Sequence, residues 1–300
     1  MARIVPFRDR YLEEARALDP FLALEIRSHP DVVPGTALAA FGDAGRGKAV
    51  LTGFGFLSRN PFDRFTALEF GTDVRSEAGI DAADALLDAL AGLFLKTRDG
   101  DRAVLRLWCR ESQEAYRAFL EDHGFAVRDR MRVMERPLAG TLPPAGADGE
   151  VRDVTGRILE DAGYLARYLE LNKAAFGYQD SPGELIFRIR HCGGRVFSLV
   201  EGGADPAEGS RAFVTVWPME NGAAATENVF CDPARQRRGF TGRLLGAVLR
   251  MLAAEGFLSA RLNVYEDDAP ALALYGKLGY HDMYRLLEMH GTAGADREDG

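Results

Sequence analysis

Residues 226 to 245 read TENVFCDPARQRRGFTGRLL, and this stretch decides the fold. An apolar run of strand length ends in a Pro-marked turn, and a basic, glycine-bearing loop then leads straight into a helix. Leu244, Leu245, Val248, Leu249 and Leu252 recur at the spacing of one helical face, and Gly256 stops the pattern. A helix N-terminus behind glycines offers converging backbone N–H groups, which is what a pyrophosphate needs. Arg235, Arg237, Arg238 and Arg243 surround the loop with positive charge in an otherwise acidic chain. A well-capped surface helix with an ordinary arginine cluster gives the same local pattern, so the flanks have to decide.

Working outward, strands 195–201, 210–217 and 224–231 are separated by GGADPAEG and MENG, which predicts an antiparallel meander. Ahead of them 151–154 reads as a short strand and 158–176 as one amphipathic helix, and a second helix follows Pro182. Downstream come strand 258–264, helix 269–278 ending at Gly279, and strand 280–289. Residues 1–137 repeat this order more loosely: strand 3–7, helix from Tyr11, strands near 37–41, 49–57 and 65–74, helix 82–96, strand 103–109, helix 113–122, strand 125–134. Gly124-Phe125 and Gly279-Tyr280 each close a helix and open a strand. LAGTLPPAGADG, residues 138–149, has the composition of a connector. The expectation is an α/β (α+β) chain of two tandem domains, 1–137 and 150–290, each a mostly antiparallel mixed sheet flanked by helices. Residues 291–300 read as a disordered acidic tail.

The chain has 300 residues, 47% hydrophobic and 27% charged, enough for one large core or two of about 150 residues. No run approaches the roughly 20 apolar residues of a membrane span, and Met1 to Arg10 is charged, so a soluble, cytoplasmic protein with no membrane partner is expected. Three distant cysteines, Cys109, Cys192 and Cys231, suggest neither a disulfide framework nor zinc. The five histidines are scattered, and no metal is expected. A net charge of −8 argues against nucleic acid as the main partner. Gly42-x-x-x-x-Gly47-Lys48 has P-loop spacing, but Ala49 replaces the hydroxyl residue and a strand follows, so it reads as a hairpin turn. Gly53-Phe-Gly55 lacks the third glycine of a dinucleotide fingerprint and reads as part of a strand.

Gln236-x-x-Gly239-x-Thr241 followed by Leu244-Leu245 resembles the Q/R-x-x-G-x-G/A signature of the GNAT superfamily of acetyl-CoA-dependent N-acetyltransferases, with Thr241 where Gly or Ala is usual. LNVYEDDAPALALYGKLGY, residues 262–280, resembles a later element of that family at Val264, Ala271, Leu274, Tyr275, Gly279 and Tyr280, with Asp268 where Asn is usual. The resemblance covers residues 150–290. Over 1–137 it is architectural only, in a layout similar to tandem members of the family such as the mycothiol synthases.

The resemblance implies acetyl-CoA as cosubstrate, held by Gln236, Arg237, Arg238, Gly239, Phe240, Thr241 and Gly242. Val229, Phe230, Cys231, Asp268 and Ala271 would also line the coenzyme, with the Phe230 and Cys231 N–H groups donating to the thioester carbonyl. Acyl transfer to an amine needs a base for the amine and a proton for the departing thiolate. Glu227 is the candidate base and Tyr275 the candidate acid. Plain strand alternation puts Glu227 on the side of Val229 and Cys231 unless a bulge intervenes. Acceptor contacts are expected from Asn172, Phe176, Tyr178, Gln179 and Asp180. In the first half, RSEAGIDAADALL matches the phosphate loop but carries Asp81 and Asp84, which repel a pyrophosphate, and Leu120 stands at the place of Tyr275. That half is expected to be structural or substrate-shaping. A small-molecule amine is the expected substrate, with a protein or peptide amine, or a non-catalytic acyl-CoA-binding module, as alternatives.

Overall fold

Runs with the strand period and runs with the helix period segregate as expected in the computed structural model, which describes residues 2–43, 49–59, 65–72, 76–97, 104–142, 150–177, 181–202 and 204–291. The chain divides into two units, Met1–Asp129 with Leu287–Gly300, and Arg130–Leu286.

Unit 1 runs β1 (Arg3–Pro6), α1 (Leu12–Leu18), α2 (Pro20–Ser28), β2 (Leu38–Asp43), β3 (Ala49–Ser58), β4 (Phe65–Thr72), α3 (Glu77–Thr97), β5 (Val104–Arg110), α4 (Glu114–Asp122) and the start of β6 (Phe125–Pro137). Strands β1 to β5 lie in sequence order, antiparallel except for β4 beside β5. Leu86, Leu90 and Phe94 of α3 pack on one face, and Tyr11, Ala15, Phe54 and Phe56 form the core of the other. A Cβ at Gly55 would lie 3.1 Å from Leu90 Cδ1 and 2.7 Å from the Glu69 carbonyl, so this strand glycine permits close helix packing. The strands that flank the 42–48 segment are antiparallel, with Asp43 opposite Ala49. The hairpin turn expected there falls on residues 44–48, which lie outside the described set.

Unit 2 takes the rest of β6 and continues with β7 (Glu150–Asp153), α5 (Thr155–Glu160), α6 (Ala162–Phe176), α7 (Pro182–His191), β8 (Arg195–Val200), α8 (Pro206–Gly209), β9 (Ser210–Pro218), β10 (Ala223–Cys231), α9 (Phe240–Ala254), β11 (Ser259–Tyr265), α10 (Ala269–Lys277) and the first part of β12 (His281–Gly291), whose residues from Leu287 on belong to unit 1. Its sheet order is β6-β11-β10-β9-β8-β7, antiparallel except for β10 beside β11. Helices α9 and α10 cover one face through Leu244, Leu245, Val248, Leu249, Leu252 and Tyr275. Burying each such leucine contributes about 1.5–3 kcal/mol. Residues of α5, α6 and α7 cover the other face, over Val196, Phe213 and Phe230.

The helix expected over 158–176 is two helices. Asp161 caps α6 by accepting from the Gly163 and Tyr164 N–H groups, and a side chain that caps a new helix ends the previous one. The unit boundary falls at Asp129/Arg130, ahead of the 138–149 connector. Met131 to Pro137 pair residue by residue with Tyr265 to Ser259, and Leu138 is buried in the α9-side core, so ladder bonds and burial bind this stretch to unit 2. Residues 143–149 and 292–300 lie outside the described set. Among the described residues no helix is long and apolar enough to cross a membrane.

Candidate active site

Strands β10 and β11 pair over three positions only, Ala223 with Ser259, Ala224 with Ala260 and Ala225 with Arg261. Past them β10 stays with β9, and β11 stays with β6 as far as Tyr265 opposite Met131. The two parallel strands fork. Just beyond the ladder the β10–β9 register jumps from Glu227 opposite Thr215 to Phe230 opposite Phe213, so Asn228 and Val229 share the place opposite Val214. This is a β-bulge, and Asn228 takes a left-handed φ of 47° in it. Asparagine tolerates that conformation better than most residues.

The bulge overturns plain alternation. Ala224 belongs to the α9-side core and Thr226 contacts Tyr280 of that core, so Glu227 falls on the opposite face with Thr215 and Phe213. The extra residue resets the phase, so that Phe230 shares the face of Glu227 while Val229 and Cys231 pack toward α9. Phe230 is buried among Tyr168, Phe176 and Phe213, with ring centroids 5.2, 5.8 and 5.3 Å away. The Asp232 N–H donates to the Arg211 carbonyl at 2.9 Å, and successive residues of an antiparallel strand turn their N–H groups to opposite edges. The Cys231 N–H therefore points into the fork and the Phe230 N–H toward β9, so only one of the two expected donors faces the site. Burial, then the charge of Asp232, raises the Cys231 pKa, which leaves a protonated thiol and a poor nucleophile.

After β10, Asp232 accepts from the Ala234 N–H and folds Pro233–Arg235 into a short turn. Arg237 and Gly239 both take left-handed φ, 63° and 74°, curling the backbone ahead of α9. Gly239 is the N-cap of α9 and has no side chain to satisfy the first-turn N–H groups of Phe240, Thr241 and Gly242. Gln236, Arg237 and Arg238 are exposed beside them, Thr241 is half-buried, and Phe240 is anchored in the core. The positive loop is felt at a distance: a hydrogen bond from Arg211, assisted by the charges of Arg235 and Arg238, holds the Glu201 carboxyl below its ordinary range. Gly242 has a packing role, because a Cβ there would lie 3.2 Å from Leu274 Cδ1 of α10. An uncapped N-terminus, a left-handed curl and exposed guanidinium groups fit an anionic diphosphate.

Asp268 caps α10, accepting from the Ala271 N–H at 3.0 Å. Aspartate thus performs the capping that an asparagine there also performs. The same bond occupies the Ala271 amide, which leaves that residue only its methyl group for a ligand. Tyr275 is buried, and desolvation first, then the charge of Asp268, pushes its phenol pKa well above the ordinary value. It is protonated at neutral pH.

Phe176, at the end of α6, reaches Phe230 and so lies on the face of Glu227. Asn172 is fully buried, so it packs inside unit 2 and does not present a surface. Tyr178, Gln179 and Asp180 lie outside the described residues. Two residues that the sequence reading passed over sit at the fork, Asn228 and Thr226. A mid-strand asparagine, poor in strand propensity, was the available signal for the bulge.

A family model described as "Acetyltransferase (GNAT) family" matches residues 166–280. A mycothiol acetyltransferase from Nocardioides sp. is 30% identical over 218 residues, 66% of this chain and 70% of that protein. Another from Catenulispora acidiphila is 28% identical over 242 residues, 77% of this chain and 74% of that protein. Among solved structures, a GCN5-related N-acetyltransferase from Sphaerobacter thermophilus superposes with a TM-score of 0.67 at 15% identity, covering 97% of this chain and 96% of its own. A tandem GNAT protein from the clavulanic acid biosynthesis pathway superposes with a TM-score of 0.66 at 16% identity, covering 99% of this chain and all of its own.

Proposed function

Because the chain belongs to the GNAT family of acetyltransferases, we propose that it moves an acetyl group from acetyl-CoA directly to a primary amine of a small molecule. The observation that carries this reading is the bulged fork of β10 and β11, which opens between an uncapped, basic helix start and a glutamate on the other face of the sheet. Coenzyme A, when bound, supplies an activated acetyl thioester. Backbone N–H groups at Gln236 to Gly242 hold its diphosphate, assisted by Arg237 and Arg238. The Cys231 N–H, aimed into the fork, donates to the thioester carbonyl and stabilises negative charge as it develops there. Glu227, on the acceptor face with Phe176 and Phe230, takes the amine proton. Tyr275, on the coenzyme face, gives a proton to the departing thiolate. Donor and acceptor thus reach the fork from opposite faces of one sheet.

The name carried by the relatives puts acceptors related to mycothiol first in a panel of small amines. The test is release of the coenzyme A thiol from acetyl-CoA with that panel, with identification of the acetylated product by mass spectrometry. Amine-dependent thiol release that collapses in Glu227→Gln is expected. Thiol release with no amine of the panel, or undiminished release in Glu227→Gln, overturns the reading.

A further inference from the structure

Thr226 is the first β10 residue past the parallel ladder, and its hydroxyl donates to the Arg261 carbonyl of β11 at 3.0 Å. That bond uses the only proton the hydroxyl has. The Tyr280 phenol, 3.2 Å from the same oxygen, is therefore the donor in their contact. Tyr280 is only 5% exposed, so neither group exchanges this partner for water. The ring of Tyr280 meets Tyr275 edge-on with centroids 5.8 Å apart, and its N–H donates to the Tyr275 carbonyl at 3.0 Å. One buried side chain thus connects the residue before Glu227 to Tyr275, whose phenol is proposed as the proton donor.

Unit 1 supplies a control within the same chain. Its parallel ladder ends at Ala67 opposite Arg106, as that of unit 2 ends at Ala225 opposite Arg261. Counting from these positions, Leu68 and Phe125 stand where unit 2 has Thr226 and Tyr280, both buried and both without a hydroxyl. The fold closes its fork without the polar pair, so the pair is not a requirement of the fold.

We propose that Thr226 and Tyr280 form a positioning strut that sets the separation between Glu227 and Tyr275 across the fork. The strut governs turnover and leaves coenzyme affinity, set at the Gln236–Gly242 loop, nearly untouched. It rests on the roles given above to Glu227 and Tyr275. Neither strut residue touches the reacting atoms.

The experiment compares Tyr280→Phe, Thr226→Val, the double variant and Thr226→Ser. Turnover is read with the best amine of the panel, acetyl-CoA affinity by calorimetry, and folding by melting temperature. Each of the first two is expected to lower kcat about tenfold, and the double variant no further, since both break one unit. Acetyl-CoA Kd stays within about twofold, and Thr226→Ser, which keeps the hydroxyl, holds kcat within about twofold. The proposal is overturned by unchanged kcat in both single variants, by additive losses in the double variant, or by kcat losses matched in Kd and melting temperature. Full activity of Glu227→Gln and Tyr275→Phe would instead defeat the reading beneath it, whatever the strut variants do.

Discussion

The two units part company over the few residues that follow their matching parallel ladders. In unit 2, β10 bulges at Asn228 and Val229; in unit 1, β4 keeps unbroken register with β3 from Ala67 opposite Ser58 to Thr72 opposite Gly53. Helix α3 has 21 residues and starts at Glu77, whereas α9 has 15 and starts at Phe240. The counterparts of Gln236 to Gly239, residues 78–81, are therefore helical and do not themselves form a loop that could cradle an anion. Ser76 accepts from the Gly79 N–H at 3.1 Å and caps α3, while α9 has no side-chain cap. Tyr116 stands at the place of Ala271, and its ring meets that of Phe70 at 5.8 Å, so aromatic bulk fills unit 1 where unit 2 has a methyl group. Unit 1 even keeps a glutamate, Glu69, in the register of Glu227. On the proposed function, a carboxylate in this register is not sufficient, because the bulge, the loop and the space accompany it only at Glu227.

The largest test of this contrast sets Glu227→Gln against Glu69→Gln. Removing a general base costs about 10²- to 10⁴-fold in turnover, so Glu227→Gln is expected in that range and Glu69→Gln within about twofold of wild type. Comparable losses in both would break the contrast. Next comes calorimetric titration of acetyl-CoA. One site per chain is expected, and Arg238→Glu with Gly239→Asp should weaken it about a hundredfold, roughly 2.7 kcal/mol. Two sites would show that the capped α3 and the Phe70–Tyr116 pair do not exclude the coenzyme.

Smaller effects sharpen the contrast by stability. Burial raises the phenols of Tyr116 in unit 1 and of Tyr275 and Tyr280 in unit 2 above their ordinary value. Above about pH 10 the unfolded chain releases these protons while the folded chain keeps them, so stability is whole below that pH and falls as pH rises beyond it. Each buried phenol adds a slope approaching about 1.4 kcal/mol per pH unit above that pH, and Tyr116→Phe and Tyr275→Phe should each flatten the denaturation profile above about pH 10. Equal flattening in both units would separate burial, which they share, from catalysis. The smallest expected effect is that of the caps. Ser76→Ala should cost about 1 kcal/mol through loss of the α3 cap. Gly239→Ala has open space for its methyl group but a φ of 74°, and should cost about 1–2 kcal/mol from backbone strain alone.

Much of this architecture was legible in the residues. The strand and helix periods, the Gly–aromatic junctions at 124–125 and 279–280, and the glycine-bearing loop before Leu244 located nearly every element of unit 2 to within a few positions. Local signals suffice there, because a helix face or a strand alternation is written into consecutive residues. The single helix expected over 158–176 failed at Asp161, where a cap competed with continuation of the apolar period. In unit 1 the helix expected from Ala82 begins at Glu77, one turn and more ahead of the apolar face that made it recognisable, because the Ser76 side chain caps an earlier start and outweighs the poor propensity of Gly79.

By itself, then, the sequence determined the order of elements and the glycine-bearing loop ahead of α9, and offered Glu227 and Tyr275 as candidate base and acid. Tertiary structure alone decided that Glu227 lies across the sheet from Val229 and Cys231, that the Cys231 amide and not that of Phe230 enters the fork, and that Ala271 gives its N–H to Asp268. It also decided that the residues matching the loop in unit 1 are wound into helix. The reason is common to all four. Which way a side chain or an amide points depends on the register with a partner strand or on a competing cap, and register and cap are settled by which groups meet in the folded chain.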